Sequence, residues 1–100
     1  MRFNGANVLI TGGASGIGRI MGRMALERGA ARLIIWDINE SNIELVKNEL
    51  SGKGQVSGYR VDVSDRSVIE QAYATTVSEC GPIDILIQCA GIVTSNATFD

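Results

Sequence analysis

The chain of 100 residues contains no histidine, only two cysteines and a single proline. Without histidine there is no His-based catalytic triad, and most zinc sites lack their commonest nitrogen ligand. Cys80 and Cys89 are too few for a disulfide framework, and the chemistry expected of such a chain is that of a reducing cytoplasm. There is no run of basic residues and the net charge is −2, which argues against nucleic acid or an anionic membrane surface as the main partner. No apolar stretch approaches the 18 or so residues of a transmembrane helix. The start, "MRFNGANVLI", has too short an apolar segment for a signal peptide. No group of residues suggests a metal site.

What is present in quantity is apolar side chain, 45% of the residues, enough for a core. Its distribution alternates between two periods. "NVLIT" (7–11) predicts a strand, and residues 16–28 carry Ile17, Ile20, Met21 and Met24 at helical spacing before Gly29. "RLIIWD" (32–37) predicts a second strand. "SNIELVKNEL" (41–50) predicts a second helix, with Ser41 and Glu44 at capping-box spacing and Gly52 beyond its end. "QVSGYRVD" (55–62) predicts a third, more polar strand. Ser64 is the expected cap of a third helix whose apolar face is Ile69, Ala72, Tyr73, Val77 and Cys80, stopped by Gly81 and Pro82. "IDILIQ" (83–88) predicts a fourth strand.

This alternation calls for an α/β fold with a doubly wound, Rossmann-like parallel sheet. Strands one, two and four are continuous apolar runs suited to burial on both faces, whereas Ser57, Gly58 and Arg60 suit the third to an edge. The order 3-2-1-4 fits these polarities. Strand four would then be the other edge, although "ILI" carries no protective charge. The expectation is therefore a partial domain over 1–100, the N-terminal part of a larger sheet, prone to aggregate and inactive by itself. Cys80 and Cys89, at opposite ends of strand four, are not expected to pair.

Between the first strand and the first helix lies "TGGASGIG" (11–18), four glycines in eight residues. A helix N-terminus offers unpaired N–H groups and a positive dipole end, and small residues let a phosphate approach them. In this reading Gly12 makes the tight turn, Gly16 permits close approach, Gly18 lets helix and strand pack, and Ser15 adds a hydroxyl. Asp37 ends strand two, 19 residues after Gly18, close to the spacing at which dinucleotide sites place an acid for the adenosine ribose. A plain glycine-rich turn, and a helix-capping role for Asp37, are the alternatives.

The loop departs from G-x-G-x-x-G, because position 21 is methionine, and reads T-G-x-x-x-G-x-G. In this it resembles the cofactor loop of the short-chain dehydrogenase/reductase family. "DVSD" (62–65) and "AG" (90–91) are similar to the family's later cofactor contacts, and the resemblance runs along essentially the whole chain. It implies an oxidoreductase that interconverts an alcohol and a carbonyl by hydride transfer with a nicotinamide cofactor, acting on a small molecule and assembling as a homo-oligomer when complete. Gly12, Ser15, Gly16, Ile17 and Gly18 would line the pyrophosphate and its ribose. Asp37 would hold the adenosine ribose, Asp62 and Val63 would flank adenine, and Cys89, Ala90 and Gly91 would pass beside the other ribose. The family usually has Asn-Asn-Ala-Gly where this chain has Gln88-Cys89-Ala90-Gly91, a departure on the nicotinamide side of the site. An acid at Asp37, with Ser15 where relatives using NADP often carry a basic residue, points to NAD over NADP. The family's Tyr-x-x-x-Lys pair is absent: Val63 and Val77 follow Tyr59 and Tyr73 at that spacing, so no catalytic residue is assigned. A non-catalytic dinucleotide sensor on the same fold remains an alternative. An S-adenosylmethionine-dependent methyltransferase is another, though Thr11 and the wide glycine spacing argue against it.

Overall fold

The apolar runs form the centre of a four-stranded, wholly parallel sheet. In a computed structural model, which describes residues 2–14 and 16–89, the strands are β1 (Asn7–Thr11), β2 (Arg32–Asp37), β3 (Gln55–Arg60) and β4 (Ile85–Gln88). Their order is β3-β2-β1-β4. Thr11 lies opposite Trp36 on one side and Gln88 on the other, and Trp36 lies opposite Tyr59, so the carboxyl ends of all four strands come together at one edge. Helices α1 (Gly16–Glu27), α2 (Glu40–Leu50) and α3 (Arg66–Cys80) make the crossovers.

Strand alternation sorts the core into two layers. Val8, Ile10, Leu33 and Ile35 point to one face and meet Ala25 and Leu26 of α1 and Ile43, Val46 and Leu50 of α2. Leu9, Ile34 and Trp36 point to the other, against Val68, Ile69 and Ala72 of α3. β1 and β2 are buried almost throughout, as continuous apolar strands should be. β4 is not: its pattern alternates, with Ile85 and Ile87 packed on the α1 face and Leu86 52% exposed on the other. Beside Leu86 an open trough of about 700 Å³ runs between α3 and β4 over Leu9, Trp36 and Tyr73.

Several predicted boundaries move, each for a local reason. The cap of α2 is Asn39, whose side chain accepts from the Asn42 amide at 3.0 Å, not Ser41. Glu44 pairs instead with Lys47 at 3.6 Å. The cap of α3 is Asp65, which accepts from the Ser67 and Val68 amides, not Ser64. Ser64 is drawn back to Asp62 by a 2.6 Å hydroxyl bond. That turn ends β3 at Arg60 rather than residue 62, while β4 begins at Ile85 rather than residue 83. The buried face of α3 also differs from the expected one. Tyr73 is 50% exposed, and Thr76 is fully buried, accepting from the Trp36 indole N–H at 3.1 Å. Cys80 and Cys89 are both free and pack on opposite faces of the sheet.

Candidate functional site

The strand order reverses at β1, and open α/β sheets place their ligands beside such a reversal, at the carboxyl ends of the strands. Backbone bonds carry the sheet one residue past the strand ends. The Gly12 amide donates to the Trp36 carbonyl at 2.7 Å, the Val61 amide to Asp37 at 2.9 Å, and the Cys89 amide to Thr11 at 2.9 Å. The segments that leave these ends, residues 12–14, 38–39, 61–65 and 89, are therefore anchored on a common rim.

The glycine loop is shaped by two requirements. Gly16, the first residue of α1, has φ +56° and open space where a Cβ would project, so a side chain would be strained there and would fill the space over the helix start. Gly18 is needed for contact: a Cβ on it would overlap the Gly12 carbonyl oxygen and lie 2.9 Å from the Gly12 carbonyl carbon and the Gly13 Cα. The start of α1 thus rests against the loop backbone, a closer approach than the helix–strand contact expected of this glycine. Gly12 itself turns the chain with φ +72°. Ile17, in the first turn of α1, is 60% exposed. Open space, a helix N-terminus and an uncrowded backbone are what a pyrophosphate requires, so the residues present fit that group.

Asp37 sits where β2 meets the rim. Its Oδ2 accepts from the Ala14 amide at 3.1 Å and its Oδ1 from the Asn39 amide at 3.0 Å. The cap of α2 is Asn39 and not Asp37, whose Oδ1 reaches only the amide of that capping residue while its Oδ2 accepts from the glycine loop. Nothing in sequence spacing marks the Ala14 bond, which joins residues 23 positions apart. Asp62 lies on the same rim, with its Oδ1 taken by the Ser64 amide and hydroxyl, which hold its carboxyl below the usual range. Val63 turns toward the α3-side core. Cys89 packs against the α1-side core, and burial pushes its thiol up, as for a small strand residue rather than a nucleophile. Ser15, Ala90 and Gly91 lie outside the described residues.

The two tyrosines lie in different settings. The Tyr59 hydroxyl bonds to the Glu79 carboxylate near the C-terminal end of α3. Burial first, then that bond, raises its pKa well above the ordinary phenol value. Tyr73 is on the open trough. Among the described residues there is no cluster of metal ligands and no helix long and apolar enough to cross a membrane.

A parallel sheet of order β3-β2-β1-β4 with helices on both faces, a left-handed glycine at a helix start and an acid tied to the same loop define a Rossmann-like α/β fold. A sequence model described as "short chain dehydrogenase" matches residues 6–100, and the chain belongs to that family. It is 39% identical to Short-chain dehydrogenase reductase 3c of Arabidopsis thaliana, over 99% of this chain and 38% of that protein. It is 38% identical to the 3-oxoacyl-(acyl-carrier-protein) reductase FabG of Thermotoga maritima, over 92% of this chain and 37% of that one. Among solved structures, gox2181 superposes with a TM-score of 0.84 at 32% identity, covering 91% of this chain and 35% of the other. NAD+-bound xylitol dehydrogenase does so with 0.80 at 25% identity, covering 86% and 33%. The chain thus spans between a third and two fifths of the length of these relatives. The family match sets aside the methyltransferase alternative.

Proposed function

We propose that residues 1–100 form the cofactor-binding half of a cytoplasmic, homo-oligomeric, NAD-dependent oxidoreductase that interconverts a small-molecule alcohol and its carbonyl. The observation that carries the reading is the bond between the Ala14 amide and Asp37, which puts the acid and the glycine loop in one site. That the xylitol dehydrogenase neighbour is described as NAD+-bound supports the choice of nucleotide. The cofactor supplies the hydride acceptor or donor. This chain's part is to hold and orient it. The α1 N-terminus and the glycines at 12, 16 and 18 take the pyrophosphate, with Ser15 and Ile17 beside it. The Asp37 carboxylate accepts from the adenosine ribose and repels a 2′-phosphate. Asp62, whose Oδ1 accepts from the Ser64 amide and hydroxyl, and Val63 border adenine. Cys89, Ala90 and Gly91 border the second ribose. Proton transfer at the substrate oxygen is left to residues outside this half, since the Tyr59 hydroxyl is engaged with Glu79.

The test is turnover by the intact protein. With NAD and a panel of primary and secondary alcohols, nicotinamide absorbance should rise for at least one alcohol. Tight NAD binding without turnover on any alcohol or carbonyl would favour the sensor on the same fold.

A further inference from the structure

An ionised carboxylate offers about four lone-pair sites, two on each oxygen. In Asp37 one site on each oxygen is already used, Oδ2 by the Ala14 amide at 3.1 Å and Oδ1 by the Asn39 amide at 3.0 Å. Two backbone donors on two different oxygens fix the plane of the group as well as its position. They also join three pieces of chain. Ala14 belongs to the glycine loop and its methyl is buried in the α1-side core, Asp37 closes β2, and Asn39 caps α2.

Upstream of Ala14 the loop has one further tie to β2, the 2.7 Å bond from the Gly12 amide to the Trp36 carbonyl. Residues 12 and 14 are therefore both hung on the end of β2, one through backbone and one through the Asp37 side chain. Without the carboxylate the Ala14 amide, part-buried, loses its acceptor, and among the described residues the loop keeps one of its two hydrogen bonds to the end of β2.

We propose that Asp37 is a positioning residue for the glycine loop, setting the loop geometry before any nucleotide arrives, in addition to accepting from the ribose. This rests on the dinucleotide reading of the site, and it separates two roles that a simple ribose acceptor would not combine. As an acceptor alone, Asp37 matters only to ligands with a ribose diol. As a strap, it matters to any ligand that lies on the loop through its phosphates, and it matters to the empty loop.

The experiment uses the intact protein, unsubstituted and as Asp37→Ala and Asp37→Asn. Asparagine keeps the size of the side chain but presents an NH2 to one of the two backbone donors, so it retains one bond at most and serves if the alanine variant fails to fold. The first readout is amide hydrogen exchange without nucleotide. The Ala14 amide should exchange roughly tenfold faster or more in the variants while those of Val8 and Ile34 keep their protection, as expected for loss of one hydrogen bond to a charged acceptor. The second is calorimetric affinity for ADP and for 2′,3′-dideoxyadenosine diphosphate, which lacks the diol. The strap predicts that the variants weaken the dideoxy ligand too, by about tenfold. Unchanged Ala14 exchange together with unchanged dideoxy affinity would overturn it. Failure of the unsubstituted protein to bind ADP at all would instead overturn the dinucleotide reading, and Ala14 exchange alone would then decide the strap.

Discussion

Two glycines of α1 face opposite kinds of neighbour, which allows the loop contact to be measured. Gly18→Ala places a methyl against the Gly12 carbonyl oxygen and 2.9 Å from both the Gly12 carbonyl carbon and the Gly13 Cα, all backbone. Gly22→Ala places one 2.9 Å from Leu33 Cδ2, the end of a side chain rather than backbone. Both substitutions gain up to about 1 kcal/mol of helix propensity. For Gly22→Ala that gain roughly cancels a small repacking cost, and stability should change by less than about 1 kcal/mol. For Gly18→Ala the loop itself must move, and overpacking against backbone costs about 1–3 kcal/mol or more. The net expectation is that Gly18→Ala is about 1–2 kcal/mol less stable than Gly22→Ala in urea unfolding. Nucleotide affinity should follow, falling about tenfold or more for Gly18→Ala and staying within about threefold for Gly22→Ala. Equal stability and equal affinity of the two variants would refute the claim that α1 rests on the loop backbone.

Thr76→Val removes the acceptor of the buried Trp36 indole and should cost about 1–3 kcal/mol in denaturant unfolding, whereas Thr76→Ser should recover most of it. Asp65→Ala takes the cap from the Ser67 and Val68 amides and should cost about 1 kcal/mol, read as a lower urea midpoint with unchanged slope. The Asp62 carboxyl is held below its ordinary value of 3.8 by Ser64, so its stabilising contribution is present above that pH and is lost as pH falls through the folded-state value. Ser64→Ala keeps the amide donor and removes the hydroxyl, so it should move the Asp62 titration, followed by carboxyl NMR shifts, part of the way back toward 3.8, and an unmoved titration would remove the Ser64 hydroxyl as the leading cause.

Element order and sheet order were legible because they depend on long apolar runs and on the polarity of Ser57 and Arg60 at an edge. The end of the sheet that carries the site followed from the same reading, since Gly12, Asp37 and Asp62 each stand just at or past a strand. Caps were less legible. Asn39 and Ser41, or Ser64 and Asp65, are competing acceptors within two residues, and the winner depends on where the chain leaves the preceding strand. Thr76 could not be read as core, because a threonine on an apolar face is indistinguishable from a solvated one until the Trp36 indole is placed against it. The second bond of Asp37 was hidden for a related reason: its donor is a backbone amide, which every residue has, so no residue type signals it.

The measurement that bears most directly on the account is calorimetric titration of the intact protein with NAD and NADP, unsubstituted and as Asp37→Ala. Asp37 ends β2 beside the glycine loop, and in the proposed function its charge would favour a ribose diol and oppose a phosphate on the 2′ position. The unsubstituted protein should bind NAD about tenfold or more tightly than NADP, and Asp37→Ala should weaken NAD by about 10- to 100-fold, the loss of charge-assisted hydrogen bonds. Equal or tighter binding of NADP by the unsubstituted protein, or NAD affinity untouched by Asp37→Ala, would contradict it.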